Sequence, residues 1–209
     1  VGLDGVAHDL IAARAIGGGA VVVTAARSGD TLVSHRVDPA GGTTDPVQML
    51  GLAQGLGVSL PSALEIVEAH GASWLVVAGA GSSSLSVLRL GADARMTPAF
   101  HAIDTLHSRF QAVSALAAAT VDGRVYLAAG GGDDGLSLLM LLPGGRLLHL
   151  DALPWETGMP AAGAVAALAM QPVVLTDGTT RLDIFVGGHH PGVAQLVADE
   201  IDGDDGDQQ

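Results

Sequence analysis

Residues 117–150 have the sequence AAATVDGRVYLAAGGGDDGLSLLMLLPGGRLLHL, and this stretch decides the fold. Asp122-Gly123 separates two β-prone runs, which predicts a hairpin because a type I′ turn needs positive φ at both of its central residues. Glycine-rich turns at 130–135 and 143–145 follow, each before another apolar run. The stretch therefore predicts an antiparallel unit of four short strands, at 117–121, 124–129, 136–142 and 146–150.

The same pattern returns along the chain with a period near 50 residues. A Ser- or Gly-rich turn precedes an apolar run at spacings of 53, 51 and 57 residues, at Leu32, Leu85, Leu136 and Val193. A second anchor of three residues returns every 52 positions, as Ser62-Ala63-Leu64, Ser114-Ala115-Leu116 and Ala166-Ala167-Leu168. Such self-similarity is typical of stacked supersecondary units, and four-stranded antiparallel units are the blades of a β-propeller.

We therefore predict an all-β fold: a β-propeller-like array of about four four-stranded antiparallel blades, the last one incomplete. The repeat domain covers residues 1–198, and 199–209 form an acidic tail. The fourth copy stops after its third strand, and an unpaired strand edge invites association. We expect a homo-oligomer or a missing partner segment. The four copies are predicted at about 8–53, 54–106, 107–153 and 154–198.

One segment favours a different fold class. Residues 61–71 combine an early proline, good helix formers and a terminal glycine, a pattern typical of a helix. Taken alone, this segment indicates an α/β protein. Because aligned copies share a fold, we predict a strand here as well.

Composition excludes several functions. The 209 residues carry a net charge of −13 with nine arginines and no lysine, so the basic footprint of a nucleic-acid-binding protein is absent. The chain has no cysteine, which excludes disulfides and Cys-ligated metals. No run of about 18 apolar residues occurs, so we expect no transmembrane segment. The chain begins without Met, and we expect that a leader has been removed or that the chain is part of a longer one.

Two segments of the third copy resemble a known family. Residues 131–138 (GGDDGLSL) and 141–150 (LLPGGRLLHL) are similar to the propeller-like N-terminal regions of secreted haemolysin-type (RTX) calcium-binding proteins of alphaproteobacteria. The resemblance covers about residues 8–198. It implies an exported, extracellular or cell-surface module without catalysis. In that family a block of Gly/Asp-rich nonapeptides follows and folds on calcium, whereas here only 202–207 resembles that block.

Calcium is the cofactor that the acidic turns suggest. Asp133 and Asp134 lie in a glycine-rich turn, and Asp202, Asp204 and Asp205 alternate with glycine near the C-terminus. Carboxylate and carbonyl oxygens are the ligands of calcium. The alternative is that these residues bind no metal: Asp and Gly are the residues that tight turns require, and the terminal cluster is a solvated acidic tail.

Three larger side chains are candidates for ligand contact or for packing. His189 and His190 stand in the turn before the last strand, where paired imidazoles suit a transition metal, but successive residues point apart. Trp155 lies between blades, where an indole stacks on a sugar or packs between sheets. A dinucleotide-type G-x-G-x-x-G at 130–135 is followed by a predicted strand rather than the helix that such a site needs.

No complete catalytic set is visible, so we expect a non-catalytic extracellular structural or binding module that self-associates or is completed by a partner chain. The alternative is a propeller enzyme of the lactonase or hydrolase type, with a divalent metal near the central channel. Its requirement is that Asp, Glu and His side chains from at least three copies converge at the axis.

Overall fold

A computed structural model describes residues 7–40, 42, 46–154, 164–188 and 193–198. In these segments, fifteen β-strands form four antiparallel sheets, and each sheet consists of consecutive strands. The predicted all-β, propeller-like array of about four blades is confirmed, and the last described sheet has three strands instead of four. No helix in the described segments is long and apolar enough to cross a membrane.

The four sheets, called blades 1 to 4, follow one another along the chain. Blade 1 contains β1 (Leu10–Ile16), β2 (Gly19–Ala25), β3 (Leu32–Val37) and β4 (Gln48–Leu50). Blade 2 contains β5 (Pro61–Ala69), β6 (Ala72–Gly79), β7 (Ser84–Leu90) and β8 (Met96–Ile103). Blade 3 contains β9 (Ala115–Val121), β10 (Arg124–Gly130), β11 (Gly135–Leu141) and β12 (Leu147–Pro154). Blade 4 contains β13 (Val165–Val174), β14 (Thr180–Gly188) and β15 (Val193–Ala198), and single 3₁₀ turns lie at Leu52–Gln54 and Pro143–Gly145.

The first hairpin of three blades has the predicted geometry. Asp122 and Gly123 have φ of 49° and 76°, His70 and Gly71 have φ of 53° and 72°, and Gly17 and Gly18 have φ of 59° and 77°. Both central residues of each turn are therefore left-handed, as a type I′ turn requires. The helix-like segment forms β5, because pairing with β6 along its length outweighs a local helix preference.

The inner strands of the array are the first strands of each blade, β1, β5, β9 and β13. They contact each other in the order β1–β5, β5–β9 and β9–β13, and in the described residues no comparable contact joins β13 to β1. We call the end at which inner strands begin the upper end. Because neighbouring strands are antiparallel, the connections between blades lie at the upper end and the first hairpins of each blade lie at the lower end.

Three hydrophobic clusters fill the spaces between successive blades. Val21 and Val23 pack with Leu75 and Val77 between blades 1 and 2. Val76 and Leu127 belong to the cluster between blades 2 and 3, and Tyr126 and Ile184 to the one between blades 3 and 4. These interiors are mostly aliphatic, in agreement with an aromatic content of 3%. Blades 2 and 3 each have an apolar cluster on both faces. This burial on both faces explains the nearly continuous apolar runs of their strands.

Hydrogen bonds at the upper end link each blade to the next. The Ser62 hydroxyl donates to the carbonyl of Val113, and the Ser114 hydroxyl donates to the carbonyl of Val165. The two bonds are equivalent, since their donors lie 52 residues apart and each crosses to the following blade. The serines of the repeated anchor therefore hold the starts of neighbouring inner strands together.

Backbone bonds repeat at the same end. Gly81 N–H donates to Ser59 O at 3.0 Å, and the equivalent Gly132 N–H donates to Gln111 O at 2.7 Å. Both bonds join a turn between second and third strands to the connection that precedes the inner strand of the same blade. This close approach leaves no room for a side chain at Gly131, where a Cβ would collide with the Gln111 carbonyl oxygen and with Ala112.

Gly131→Ala is expected to destabilise the fold by about 1–3 kcal/mol, because an overpacked backbone contact must open. Gly132→Ala is the matched control, since a Cβ there meets its nearest atoms at the ordinary distances of 3.8 and 4.0 Å. Chemical denaturation of both variants measures the difference. Equal stability of the two variants would contradict this account of the turn.

Candidate active site at the propeller axis

A depression of about 280 Å³ opens at the upper end of the axis. The first residues of all four inner strands line it, including the three copies of the repeated anchor at 62–64, 114–116 and 166–168. Arg27, from the turn between β2 and β3, lines its rim. The 52-residue repeat in the sequence therefore marks the ring axis itself.

Glu65 is the carboxylate that directly follows this anchor in β5. The positions related to it by the 52-residue period are Ala13, Ala117 and Ala169, one in each of the other inner strands. Its cross-strand partner is Val76, which is fully buried between blades 2 and 3. Paired residues share a face of the sheet, so Glu65 lies on the same side as that apolar cluster.

Burial raises the pKa of Glu65 above its ordinary value of 4.5. The residue is half-buried, and among the described residues its carboxyl group has no hydrogen-bond or ion-pair partner. Desolvation disfavours the charged form, so the group holds its proton to higher pH than an exposed glutamate. A carboxyl group in this state is suited to act as a general acid.

Glu68, three residues further along the same strand, has the opposite environment. Its Oε1 accepts a hydrogen bond from Nε of Arg14 at 3.1 Å. That hydrogen bond and the arginine charge lower the pKa of Glu68. In β5, Glu68 therefore has a lowered pKa through a contact between blades 1 and 2, and Glu65 has a raised pKa through burial.

The predicted calcium residues Asp133 and Asp134 lie at the upper end, in the turn between β10 and β11. Burial raises the pKa of Asp133, and the charge of nearby Asp104 raises it further. Its Oδ1 accepts a hydrogen bond from the Gln111 N–H at 3.1 Å, which ties the turn to the connection between blades 2 and 3. Asp134 is exposed with a φ of 37°.

Metal binding at these aspartates stays a prediction. Within the described segments, no group of three or more His, Asp or Glu side chains is arranged to hold a metal ion. The other predicted site residues lie outside the described residues: Trp155, His189, His190, Asp202, Asp204 and Asp205.

Two buried serines form hydrogen bonds with histidines that the sequence analysis did not connect. Ser86 Oγ lies 2.7 Å from His101 Nδ1, and Ser137 Oγ lies 3.1 Å from His149 Nε2. Each pair joins the third strand of a blade to the fourth, and the two serines are 2% and 0% exposed. Ser34, in β3, is also fully buried, and its hydroxyl has no hydrogen-bond partner. The pairs satisfy buried hydroxyls, and no carboxylate is hydrogen-bonded to either imidazole in the described segments.

No protein-family model and no curated protein matches the sequence. Solved structures with a similar fold do exist. A protein from Lactobacillus plantarum is 15% identical with a TM-score of 0.56, and the match covers 84% of this chain and 53% of that one. A functionally unknown protein from Desulfotomaculum acetoxidans is 16% identical with a TM-score of 0.53, over 92% of this chain and 62% of that one.

A third similar structure is that of a GH43 β-1,3-galactosidase with galactodeoxynojirimycin. It is 11% identical with a TM-score of 0.51, and the match covers 92% of this chain and 71% of that one. At these identities the likeness shows the fold. The chain spans about half the length of the Lactobacillus plantarum protein, at 53%.

These neighbours correct the function expected from the sequence. The expectation of a non-catalytic module is wrong: the same architecture occurs in a glycoside hydrolase, and the alternative of a propeller enzyme agrees better with it. No local motif reveals such a site, because inner strands about 52 residues apart in the sequence come together at the axis of a propeller. The overlooked signal was one glutamate at a repeat position that is otherwise alanine.

Glu65→Gln is expected to stabilise the protein at neutral pH. The raised pKa means that wild-type Glu65 contributes stability below the unfolded-state pKa and loses it as pH rises through the folded-state pKa. The stability that the variant gains over the wild type should therefore decrease as the pH falls toward 4.5, the ordinary pKa of a glutamate. Thermal unfolding between acid and neutral pH measures it.

Glu68→Gln is the matched control from the same strand. Its lowered pKa predicts the opposite sign, since the Arg14 contact stabilises the fold above the unfolded-state pKa and is lost as pH falls through the folded-state pKa. Identical pH dependences for the two variants would contradict the contrast between the two carboxyl groups.

Proposed function

We propose that this chain belongs to a propeller enzyme that hydrolyses glycosidic bonds at the upper end of the axis. The observation that carries the proposal is Glu65, a half-buried carboxyl group with a raised pKa that directly follows Leu64, a residue of the axial depression. Glycoside hydrolysis needs a carboxylic acid that keeps its proton until it meets the leaving oxygen. The galactosidase with the same architecture makes galactosides the first substrates to test.

Asp9 is proposed as the second carboxylate. It directly precedes Leu10, which lines the depression, and its Oδ1 accepts a hydrogen bond from the Arg27 N–H at 2.8 Å. The Arg27 Nε lies 3.8 Å from its Oδ2. In the proposed reaction Asp9 is the base, and Glu65, whose pKa is raised by burial, is the acid.

The proposed step breaks the bond between the anomeric carbon and the leaving oxygen. The proton of Glu65 passes to that oxygen, a water molecule adds to the anomeric carbon, and Asp9 accepts the proton that the water loses. No metal takes part in this scheme, which depends on the two carboxyl groups alone. Arg27, which also lines the depression, supplies N–H donors there.

Glu65→Gln is expected to lower kcat on aryl β-galactosides by about 10²–10⁴-fold, the usual contribution of general acid catalysis. The loss should be smaller for substrates whose leaving group needs no proton, such as dinitrophenyl glycosides. The wild-type rate should fall as pH rises through the raised pKa of Glu65, and this limb should be missing in the variant.

Asp9→Asn should also lose activity, whereas Glu68→Gln should retain it as the matched control. The panel should cover galactosides, xylosides and arabinosides, with full-chain protein. Retention of wild-type activity and of the wild-type pH profile by Glu65→Gln would exclude its role as the acid. Absence of hydrolysis of every glycoside by the wild-type protein would contradict the proposed reaction.

We also propose that the array is completed by another copy of the chain or by a further segment. Two observations support it: β13 makes no extended contact with β1 in the described residues, and the two terminal inner strands leave large apolar side chains in solvent. Ile11 of β1 is 69% exposed and Val174 of β13 is 73% exposed.

Light scattering after size exclusion is expected to give a mass of at least twice 20.8 kDa for the isolated chain if a second copy completes the array. Ile11→Asp should then dissociate the particle, whereas the exposed Leu106→Asp, on the connection between blades 2 and 3, should not. A monomer that stays monomeric at high concentration would exclude completion by a second copy.

A further inference from the structure

The arginines of this acidic protein collect at the lower end of the array. Two of the nine, Arg27 and Arg109, lie at the upper end, in the turn after β2 and the connection after β8. The alternation of strand direction places the other seven toward the lower end: Arg14, Arg36, Arg89, Arg95, Arg124, Arg146 and Arg181. In a chain of net charge −13, this end therefore holds most of the cationic side chains, beside six described acidic residues: Asp38, Glu68, Asp93, Asp122, Asp177 and Asp183.

Four of these seven arginines have partners that account for them. Arg14, Arg95 and Arg181 form ion pairs with Glu68, Asp93 and Asp183, respectively. Arg36 donates to the backbone carbonyls of Gly17 and Ala92. In the described segments, the remaining three guanidinium groups make no ion pair and no hydrogen bond: those of Arg89, Arg124 and Arg146.

A cavity of about 610 Å³ lies at this end of the array, and one of the three unpaired arginines lines it. It is formed by the first hairpins of blades 2 and 3, the end of β1 and the turn after β7, and Arg89 lines it. Arg124 directly follows Gly123, which also lines it. Arg146 follows Gly145, which packs on the indole of Trp74, the cross-strand partner of Arg89.

Two hydroxyl groups in the polar lining of the cavity are available as hydrogen-bond donors. Those of Ser73 and Thr120 make no hydrogen bond within the described segments. His70 Nε2 lies 3.1 Å from the Leu141 carbonyl oxygen, and because a carbonyl only accepts, this nitrogen carries a proton and donates it to Leu141. Glu68 is the acidic residue in the lining, and its charge is paired with Arg14.

We propose that this cavity binds an oxyanion, a carboxylate or phosphate group of a small ligand, with Arg89 as its principal contact. A guanidinium presents two parallel N–H donors that match either group. The hydroxyls of Ser73 and Thr120 complete the donor set. The volume suits a ligand the size of a sugar acid or a sugar phosphate. The site lies at the opposite end of the array from Glu65 and does not depend on the proposed hydrolysis.

The test is a calorimetric titration of the full chain at low salt with three probes: D-glucuronate, inorganic phosphate and neutral glucose. Saturable binding of either anion, and not of glucose, is expected. Tighter binding of glucuronate assigns the site to carboxylates, and tighter binding of phosphate assigns it to phosphoryl groups. Absence of saturable binding of both anions would overturn the proposal.

Arg89→Gln is expected to weaken the binding by about tenfold or more, because the bidentate charged contact is lost. Arg89→Lys keeps the positive charge but lacks the two parallel N–H donors of the guanidinium group. Its loss of affinity should therefore be smaller than that of Arg89→Gln. Arg95→Gln is the matched control: Arg95 is the last residue of the β7–β8 turn and pairs with Asp93, and neither residue lines the cavity. Equal losses in Arg89→Gln and Arg95→Gln would show general surface attraction and overturn the site.

Thr120→Val keeps the volume and removes one proposed donor, and it tests the site even if Arg89→Gln fails to fold. A loss of affinity for the anion with an unchanged unfolding temperature supports the assignment. Unchanged affinity in both Thr120→Val and Arg89→Lys would contradict it.

Discussion

The hydrogen bonds from the anchor serines to the next blade are the constraint on which the rest of the structure depends. Ser62 and Ser114 each hold the start of an inner strand against the start of the following one. Once these ends are fixed, the first residues of the inner strands come together at one axis. The repeat position that follows the anchor is alanine in three inner strands, at 13, 117 and 169. Glu65 occupies the same position in β5, and its desolvation follows from its place on the side of the apolar cluster between blades 2 and 3.

The alternation of strand direction separates two kinds of chemistry. Turns and connections at the upper end carry Asp9, Asp104 and Asp133, whereas the lower hairpins carry most of the arginines. A substrate of neutral sugars and an anionic ligand would therefore bind at opposite ends of the array, the sugar at the upper end and the anion at the lower end. Since all blades run in the same direction, the separation is a property of the topology and not of any one loop.

Much of the fold follows from short-range rules. Asp122-Gly123 predicts a hairpin because both residues accept the left-handed backbone conformation that a type I′ turn requires. The 52-residue spacing of Ser62 and Ser114 predicts the length of the repeating blade. The segment that forms β5 shows the limit of local preference: its composition suits a helix, and only pairing with β6 makes it a strand. The site was harder to foresee. Glu65 becomes notable only when the register with Val76 places it beside an apolar cluster. The Ser86–His101 contact likewise depends on the bulge between β7 and β8, which no sequence period specifies.

Each complete blade starts and finishes at the same end of the array. The inner strand begins at the upper end, and after four antiparallel strands the chain returns there. One more copy of about 52 residues can therefore be inserted at a connection between blades without any change in the path of the existing strands. A copy of blade 2 or blade 3 would also bring the serine that bonds to the next blade, whereas the equivalent residues of blades 1 and 4 are Leu10 and Ala166. A single duplication or deletion of one copy thus changes the number of blades.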